Sequence, residues 1–185
     1  MRLFIALELP QSVKTVLMQH QDRLQAELGP YARSVRWVEA SAMHLTLHFL
    51  GECSPALVND LVTILGRHQD HRDAMLRLDA LGAFPNLKRP STLWCGVQGE
   101  VPRLAASQAA LGDDLQKLGI ELDRRSFKPH LTLGRVRRET TPQQLSAIGD
   151  ALRSQSSQAL EWPCGPAILF QSELRPNGPI YTRLS

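Results

Sequence analysis

Aromatic side chains are scarce in this chain: three Trp, two Tyr and five Phe among 185 residues. Core packing can absorb all of them, so nothing announces a stacking platform of the kind that holds single-stranded nucleic acid. Cysteine is as sparse. Cys53, Cys95 and Cys164 are odd in number, widely spaced and in no metal-ligand pattern, which argues against a disulfide framework and for reduced thiols of an intracellular protein. Long apolar runs are missing too. The opening Leu3–Leu7 stretch meets Glu8 and Pro10 well before a membrane-spanning length and carries no small-residue cleavage site, so a cytoplasmic chain with no membrane partner is expected. Charge is nearly balanced, with 21 Lys and Arg against 18 Asp and Glu and a pI near 9.0; an anionic partner fits this excess without being required by it. Neither a low-complexity segment nor a long linker divides the chain.

What is present is a repeated word. His44-Leu45-Thr46-Leu47 recurs as His130-Leu131-Thr132-Leu133. Alternation on an extended segment places His44, Thr46 and His48 on one face and the leucines on the other, and His130 with Thr132 repeats that geometry. Side chains two apart on a strand stand about 6.5–7 Å from each other, so an imidazole and a hydroxyl can reach different oxygens of one phosphate.

The surroundings of the two words also correspond. Leu3 to Leu9 reads as a strand, Gln11 to Leu28 as a helix stopped by Gly29-Pro30, Val35 to Val38 as a short strand, and His44 to Leu50 as a strand broken at Gly51. Ser54-Pro55 opens a helix ending near Gly66, and Ala74 to Phe84 is a strand with Leu76, Leu78 and Ala80 on one face. The order then restarts: a strand from Ser91 to Val97, a helix from Pro102 to Leu118, the strand His130 to Val136, and a helix opened by Thr141-Pro142. Leu160 to Gln171 is a strand interrupted between Pro163 and Pro166, and Ile180 to Leu184 follows the turn Pro176-Asn177-Gly178. The expected fold is α+β: one bilobal domain over 1–185, with approximate half-repeats 1–88 and 89–185. It is read as two pseudo-twofold-related antiparallel sheets, helices on their outer faces, and a central cleft carrying both His-x-Thr-x strands.

Facing each other across such a cleft, His44 and His130 would meet one substrate from opposite sides. In-line displacement at phosphorus profits from a base on one side and an acid on the other. Histidine serves either role because its unperturbed pKa is about 6.5. Thr46 and Thr132 would donate to the non-bridging oxygens. A single His-x-Thr is more often surface or satisfied core; duplication is what raises catalysis above that reading. A metal site at His44 and His48 is disfavoured, since i and i+4 on a strand lie about 13 Å apart.

The words His44-Leu45-Thr46-Leu47-His48-Phe49-Leu50-Gly51 and Pro129-His130-Leu131-Thr132-Leu133-Gly134-Arg135 are similar to those of the two-histidine phosphoesterase superfamily. With the opening Arg2-Leu3-Phe4-Ile5-Ala6-Leu7 and the ending Gly178-Pro179-Ile180-Tyr181-Thr182, the chain most resembles its RNA 2',3'-cyclic phosphodiesterases, also called 2'-5' RNA ligases. The resemblance implies hydrolysis of 2',3'-cyclic phosphate ends to 2'-phosphate ends, reversible as 2'-5' ligation, with no metal and no nucleotide cofactor. It assigns His44 as donor to the leaving 3'-oxygen and His130 as acceptor from water. The implied partner is RNA with a 2',3'-cyclic phosphate terminus, tRNA fragments included, met by a monomer. Two other readings stay open: a non-catalytic module for RNA termini, and a phosphodiesterase for a small cyclic nucleotide or ADP-ribose cyclic phosphate.

Arg135 is the basic residue nearest a motif. Strict alternation points it with the leucines, and a bulge at Gly134, a residue that also lets backbone approach a ligand, would turn it to a phosphate or ribose. Arg124, Arg125 and Lys128 could guide an RNA backbone, although such loops are more often simply solvated. Phe4, Phe127 and Trp94 are candidate base contacts that read more readily as core. His48 is as readily a rim residue as a ligand, and His20, His68 and His71 receive no role.

Overall fold

Most helices and strands fall close to where periodicity and caps place them; the strand of His44 differs in running through Gly51 to Glu52 rather than breaking there. The computed structural model describes residues 1–123, 125–175 and 178–185; Arg124 and most of the Pro176-Asn177-Gly178 turn lie outside the described residues. Strand β1 (Arg2–Glu8) leads through Pro10 into helix α1 (Gln11–Leu28), whose apolar stripe Val13, Leu17, Leu24 and Leu28 is buried. Gly29 ends α1 at φ 52°, a left-handed conformation in which its N–H bonds the Gln25 carbonyl. A 3₁₀ segment follows, then β2 (Val35–Trp37) and β3 (His44–Glu52). The Ser54 hydroxyl accepts from the Ala56 N–H, Pro55–Leu57 forms a 3₁₀ turn, and α2 (Val58–Arg67) continues from it. Next come β4 (Met75–Phe84), β5 (Thr92–Gly99), α3 (Val101–Lys117) and β6 (His130–Val136). Helix α4 (Pro142–Ser154) begins at a capping box between Thr141 and Gln144. The final strand expected from Leu160 is indeed broken, into β7 (Glu161–Pro163) and β8 (Ala167–Arg175), before β9 (Gly178–Arg183).

The fold is α+β and the sheet is antiparallel throughout. The expected two sheets are joined into one, in the order β7-β4-β5-β6-β3-β1-β8-β9, with β2 added to β6. That order is symmetric about the β6–β3 junction: each histidine strand is followed outward by the first strand of its own half. The next strand outward comes from the other half. β4 pairs with β5, and β8 with β1, so the lobes of the sheet are not the contiguous halves 1–88 and 89–185. The segment joining the halves is the turn of the β4–β5 hairpin, because consecutive strands prefer to pair with each other.

All four α-helices among the described residues contribute to one core. Leu3, Ile5 and Leu7 of β1, Leu45 and Leu131 of the histidine strands, and Leu93 of β5 meet Leu17, Leu61, Leu111 and Ile148 from the four helices. Leu45→Ala would forfeit about 2–5 kcal/mol, as large-to-small changes at fully buried sites do. A separate small cluster of Phe4, Ala6, Ile168 and Phe170, with Tyr181 packed on it, lies on the opposite face. Ala80 does not continue the Leu76 and Leu78 face: the β4–β5 register shifts after Leu78, Leu81 is buried instead, and Ala80 is exposed. The three cysteines are free and buried.

Candidate active site

Each histidine opens its strand and is held the same way. The Nδ1–H of His44 donates to the Ala42 carbonyl at 2.8 Å, and that of His130 to the Lys128 carbonyl at 2.7 Å. A carbonyl only accepts, so the proton of each neutral ring resides on Nδ1 and Nε2 keeps a lone pair. β3 and β6 meet at Leu45 and Leu131. One residue to either side, the antiparallel register sets His44 opposite Thr132 and Thr46 opposite His130. The histidines are therefore diagonal across the strand pair, with Cβ atoms on the order of 7–8 Å apart. Leu45 and Leu131 are buried beneath, while the two histidines and two threonines are half-buried on the other face. The hydroxyls of Thr46 and Thr132 have no protein partner among the described residues.

Both strands then bulge at the same point. Against β1, Ile5 pairs with His48 and Ala6 with Thr46, leaving Leu47 as the extra residue; against β5, Leu93 pairs with Gly134 and Trp94 with Thr132, leaving Leu133. Each extra residue has its carbonyl held by a glutamine from a helix of the core face. Gln108 of α3 donates to Leu47 O at 3.2 Å, and Gln21 of α1 donates to Leu133 O at 2.9 Å and Val38 O at 2.8 Å. Nothing in the periodicity marks these glutamines; only the repeat, aligned helix on helix, could have suggested them.

The bulges correct one expectation and complete another. His48 does not share the catalytic face: it turns inward to 9% exposure, donates from Nε2 to the Gln108 carbonyl at 2.8 Å, and leaves Phe49, 59% exposed, in the place alternation assigned to it. In the second strand the bulge turns Arg135 out on the side of His130 and Thr132, with its guanidinium 3.4 Å from the Thr92 hydroxyl. Gly134 serves a neighbouring strand rather than a ligand. A Cβ there would stand 2.5 Å from Val35 Cγ1 of β2, so no side chain fits.

The walls around the rings come from distant strands. His44 lies against Phe4, centroids 4.9 Å apart, and meets the edge of Tyr181 at 5.2 Å; Phe170 stacks behind Phe4 at 5.3 Å. His130 meets the edge of Phe84 at 4.9 Å, and Phe84 rests on Trp94 at 5.2 Å. Trp94 reaches across β4 because residue 82 is glycine; a Cβ there would lie 2.3 Å from the indole. Phe84 and Phe170 carry no sequence signal that singles them out, whereas Tyr181 stands in the ending Gly178-Pro179-Ile180-Tyr181-Thr182 that carries the family resemblance. Phe4 is core beneath His44, and Phe127 packs on the main core. A pocket of about 160 Å³ opens beside His44, between Phe4, Phe170, Tyr181, Lys14 and Arg183.

Both rings are less basic than free imidazole. Burial, with smaller contributions from the charges of Arg135, His130 and Lys14, pushes His44 down to about 4 against the opposing Ala42 bond. His130 is lowered as well, first by burial and then by Arg135. Both are neutral in the free protein near pH 7, and an anion between them would draw protons back.

Other candidates fall outside the cleft. Arg125 is paired with Asp123, His68 with Asp114 at 2.9 Å, and His71 with the Ser107 hydroxyl at 2.9 Å, while His20 is fully buried on α1. Among the described residues no three His, Cys, Asp or Glu gather as metal ligands, and no helix is long and apolar enough to cross a membrane.

The repeat in the chain is also met in comparison with known proteins. The family described as LigT like Phosphoesterase matches residues 7–94 and again 96–181. The chain belongs to this family. Among its relatives are proteins named RNA 2',3'-cyclic phosphodiesterase from Archaeoglobus fulgidus, 34% identical over 100% of this chain and 98% of the relative, and from Thermus thermophilus, 34% identical over 100% and 88%. A crystal structure of LigT from E. coli complexed with 3'-AMP has TM-score 0.77 and 25% identity, covering 100% of this chain and 95% of that one. A crystal structure of a Thermus thermophilus protein has TM-score 0.77 and 29% identity, covering 100% and 96%. In this phosphoesterase each matched segment carries one copy of the repeated word, His44-Leu45-Thr46-Leu47 in the first and His130-Leu131-Thr132-Leu133 in the second.

Proposed function

We propose that this phosphoesterase opens 2',3'-cyclic phosphates at RNA ends, tRNA fragments among them, acting as a cytoplasmic monomer without a metal ion. The observation that carries the reading is the pair of rings fixed through Nδ1 on one face of adjacent strands, each offering Nε2. Neutral His130 takes a proton from water as its oxygen bonds to phosphorus. The bond from phosphorus to O3' breaks, and His44, protonated when the anion is bound, gives its Nε2 proton to O3'. A 2'-phosphate remains. A 5'-hydroxyl in place of that water gives 2'-5' joining by the same transfers. Thr46 and Thr132 donate to the non-bridging oxygens, and Arg135 supplies the charge that grips them.

The names of the relatives support the substrate class. The test is product analysis on a defined RNA ending in a 2',3'-cyclic phosphate, in EDTA. A 2'-phosphate product is expected; a 3'-phosphate, or loss of turnover on chelation, overturns the mechanism. Binding without turnover would leave an RNA-terminus module.

A further inference from the structure

A second basic residue stands beside the site with no role yet. In the β2–β6 ladder Arg36 is the partner of Arg135, and in the β5–β6 ladder Arg135 is the partner of Thr92. Partners in an antiparallel ladder point to the same face, with Cα atoms about 4.5–5.5 Å apart. Val35, next to Arg36, points to the core, and Arg36 is exposed. Both arginines therefore project on the face of His130 and Thr132. Neither has a carboxylate within 4.0 Å among the described residues, while eight other ion pairs are formed there. Like charges directly opposite each other on neighbouring strands destabilise a sheet. Such a pair costs stability in the free protein and is relieved when an anion binds between the guanidinium groups.

We propose that Arg36 forms a second phosphate subsite, with the Arg135 guanidinium shared between it and the reacting phosphate, and that this subsite holds a backbone phosphodiester of an RNA whose cyclic end lies between the histidines. Arg36 is then a specificity residue that favours an oligonucleotide over a mononucleotide. The hairpin carrying Lys88 and Arg89 adjoins the same end of β6, where the Val136 N–H bonds the Ser91 carbonyl at 2.9 Å. The strand thus leaves the cleft past β2 and this hairpin. The inference rests on the proposed RNA reading.

The experiment compares wild type, Arg36→Gln and Arg36→Lys on a 2',3'-cyclic mononucleotide and on an oligonucleotide with the same terminal nucleotide, over a range of salt. For Arg36→Gln, kcat/KM on the oligonucleotide should fall about 10-fold. It should be unchanged on the mononucleotide, and the slope of log(kcat/KM) against log salt on the oligonucleotide should shrink by about 0.7. Arg36→Lys should retain most of that slope. With one repelling charge gone, Arg36→Gln should melt no lower than wild type. Equal losses on both substrates, no loss on the oligonucleotide, or a lower melting temperature overturns the subsite. Wild-type turnover of neither substrate overturns instead the phosphodiesterase reading beneath it.

Discussion

The two histidine strands follow the same path for four residues and part at the fifth. His44-Leu45-Thr46-Leu47 and His130-Leu131-Thr132-Leu133 share the Nδ1 anchor, the alternation, the bulge and the glutamine that holds it. After the bulge the first strand has His48 and Phe49, the second Gly134 and Arg135. The difference follows from the neighbours. β2 lies close against Gly134 and leaves no room for a side chain, whereas the equivalent position in the first strand faces α3, where His48 fills the space over Gly112. One bulge thus turns out an aromatic ring and the other a guanidinium. The proposed reacting groups are duplicated, and each ring has its own aromatic wall; what differs is the residue turned out past the bulge, Phe49 in the first strand and Arg135 in the second.

Removing either ring tests the shared part and should have the largest effect. His44→Ala and His130→Ala are each expected to lower kcat by about 10²- to 10⁴-fold, measured in single-turnover assays on cyclic-phosphate RNA. A wild-type rate in either would break the equivalence. Arg135→Gln tests the part that differs. It should cost about 10- to 100-fold in kcat/KM, and because its charge lowers both histidines, their NMR titrations should move up in pH; an upward move in neither would place the guanidinium elsewhere.

Smaller effects test the shared part again. Gln21→Leu removes the amide that donates to the carbonyls of Leu133 and Val38, and Gln108→Leu the amide that donates to the Leu47 carbonyl and to His48 Nδ1; Leu133 O keeps the Val38 N–H. Each variant should lose a similar amount, about 1–3 kcal/mol, in denaturant unfolding. A loss confined to one of them would break the equivalence of the two bulges. Least costly are Thr46→Val and Thr132→Val, expected to slow turnover by a few-fold to about 10-fold each, since a neutral hydrogen bond contributes about 0.5–1.5 kcal/mol. A loss matching that of a histidine variant would give the hydroxyl a larger role.

Several of these features were legible in the chain and others were not, for physical reasons. The bounds Gln11–Leu28 and His130–Val136 emerge from apolar spacing and from Gly and Pro punctuation, which are local properties. The pairing of β4 with β5 and of β8 with β1 is not local: periodicity says which face a strand buries, never which strand lies beside it. A bulge is similarly silent, because one extra residue leaves the apolar pattern Leu45, Leu47, Leu50 looking like a frayed alternation. Alternation misplaces His48 for that reason, and it places Arg135 only conditionally. Phe4, Phe84, Phe170 and Tyr181 form their cradles from β1, β4 and the consecutive strands β8 and β9, far apart in the chain, and periodicity does not show that they meet.

The proposed mechanism has two fixed, poorly basic histidines acting as a donor–acceptor pair. The decisive experiment is kcat/KM against pH on a defined cyclic-phosphate RNA, which reports the free enzyme's ionisations. One ring must carry a proton and the other must not. Activity should therefore fall below about 4, where both rings hold protons, and fall again above the lowered pKa of His130, below 6.5, where both are neutral. A bell with both limbs on the acid side of 6.5, reduced to a single limb in the residual activity of His44→Ala, is the expected result. A profile that is flat from about pH 4 to about pH 8, or one whose limbs survive in His44→Ala, would rule out the paired roles.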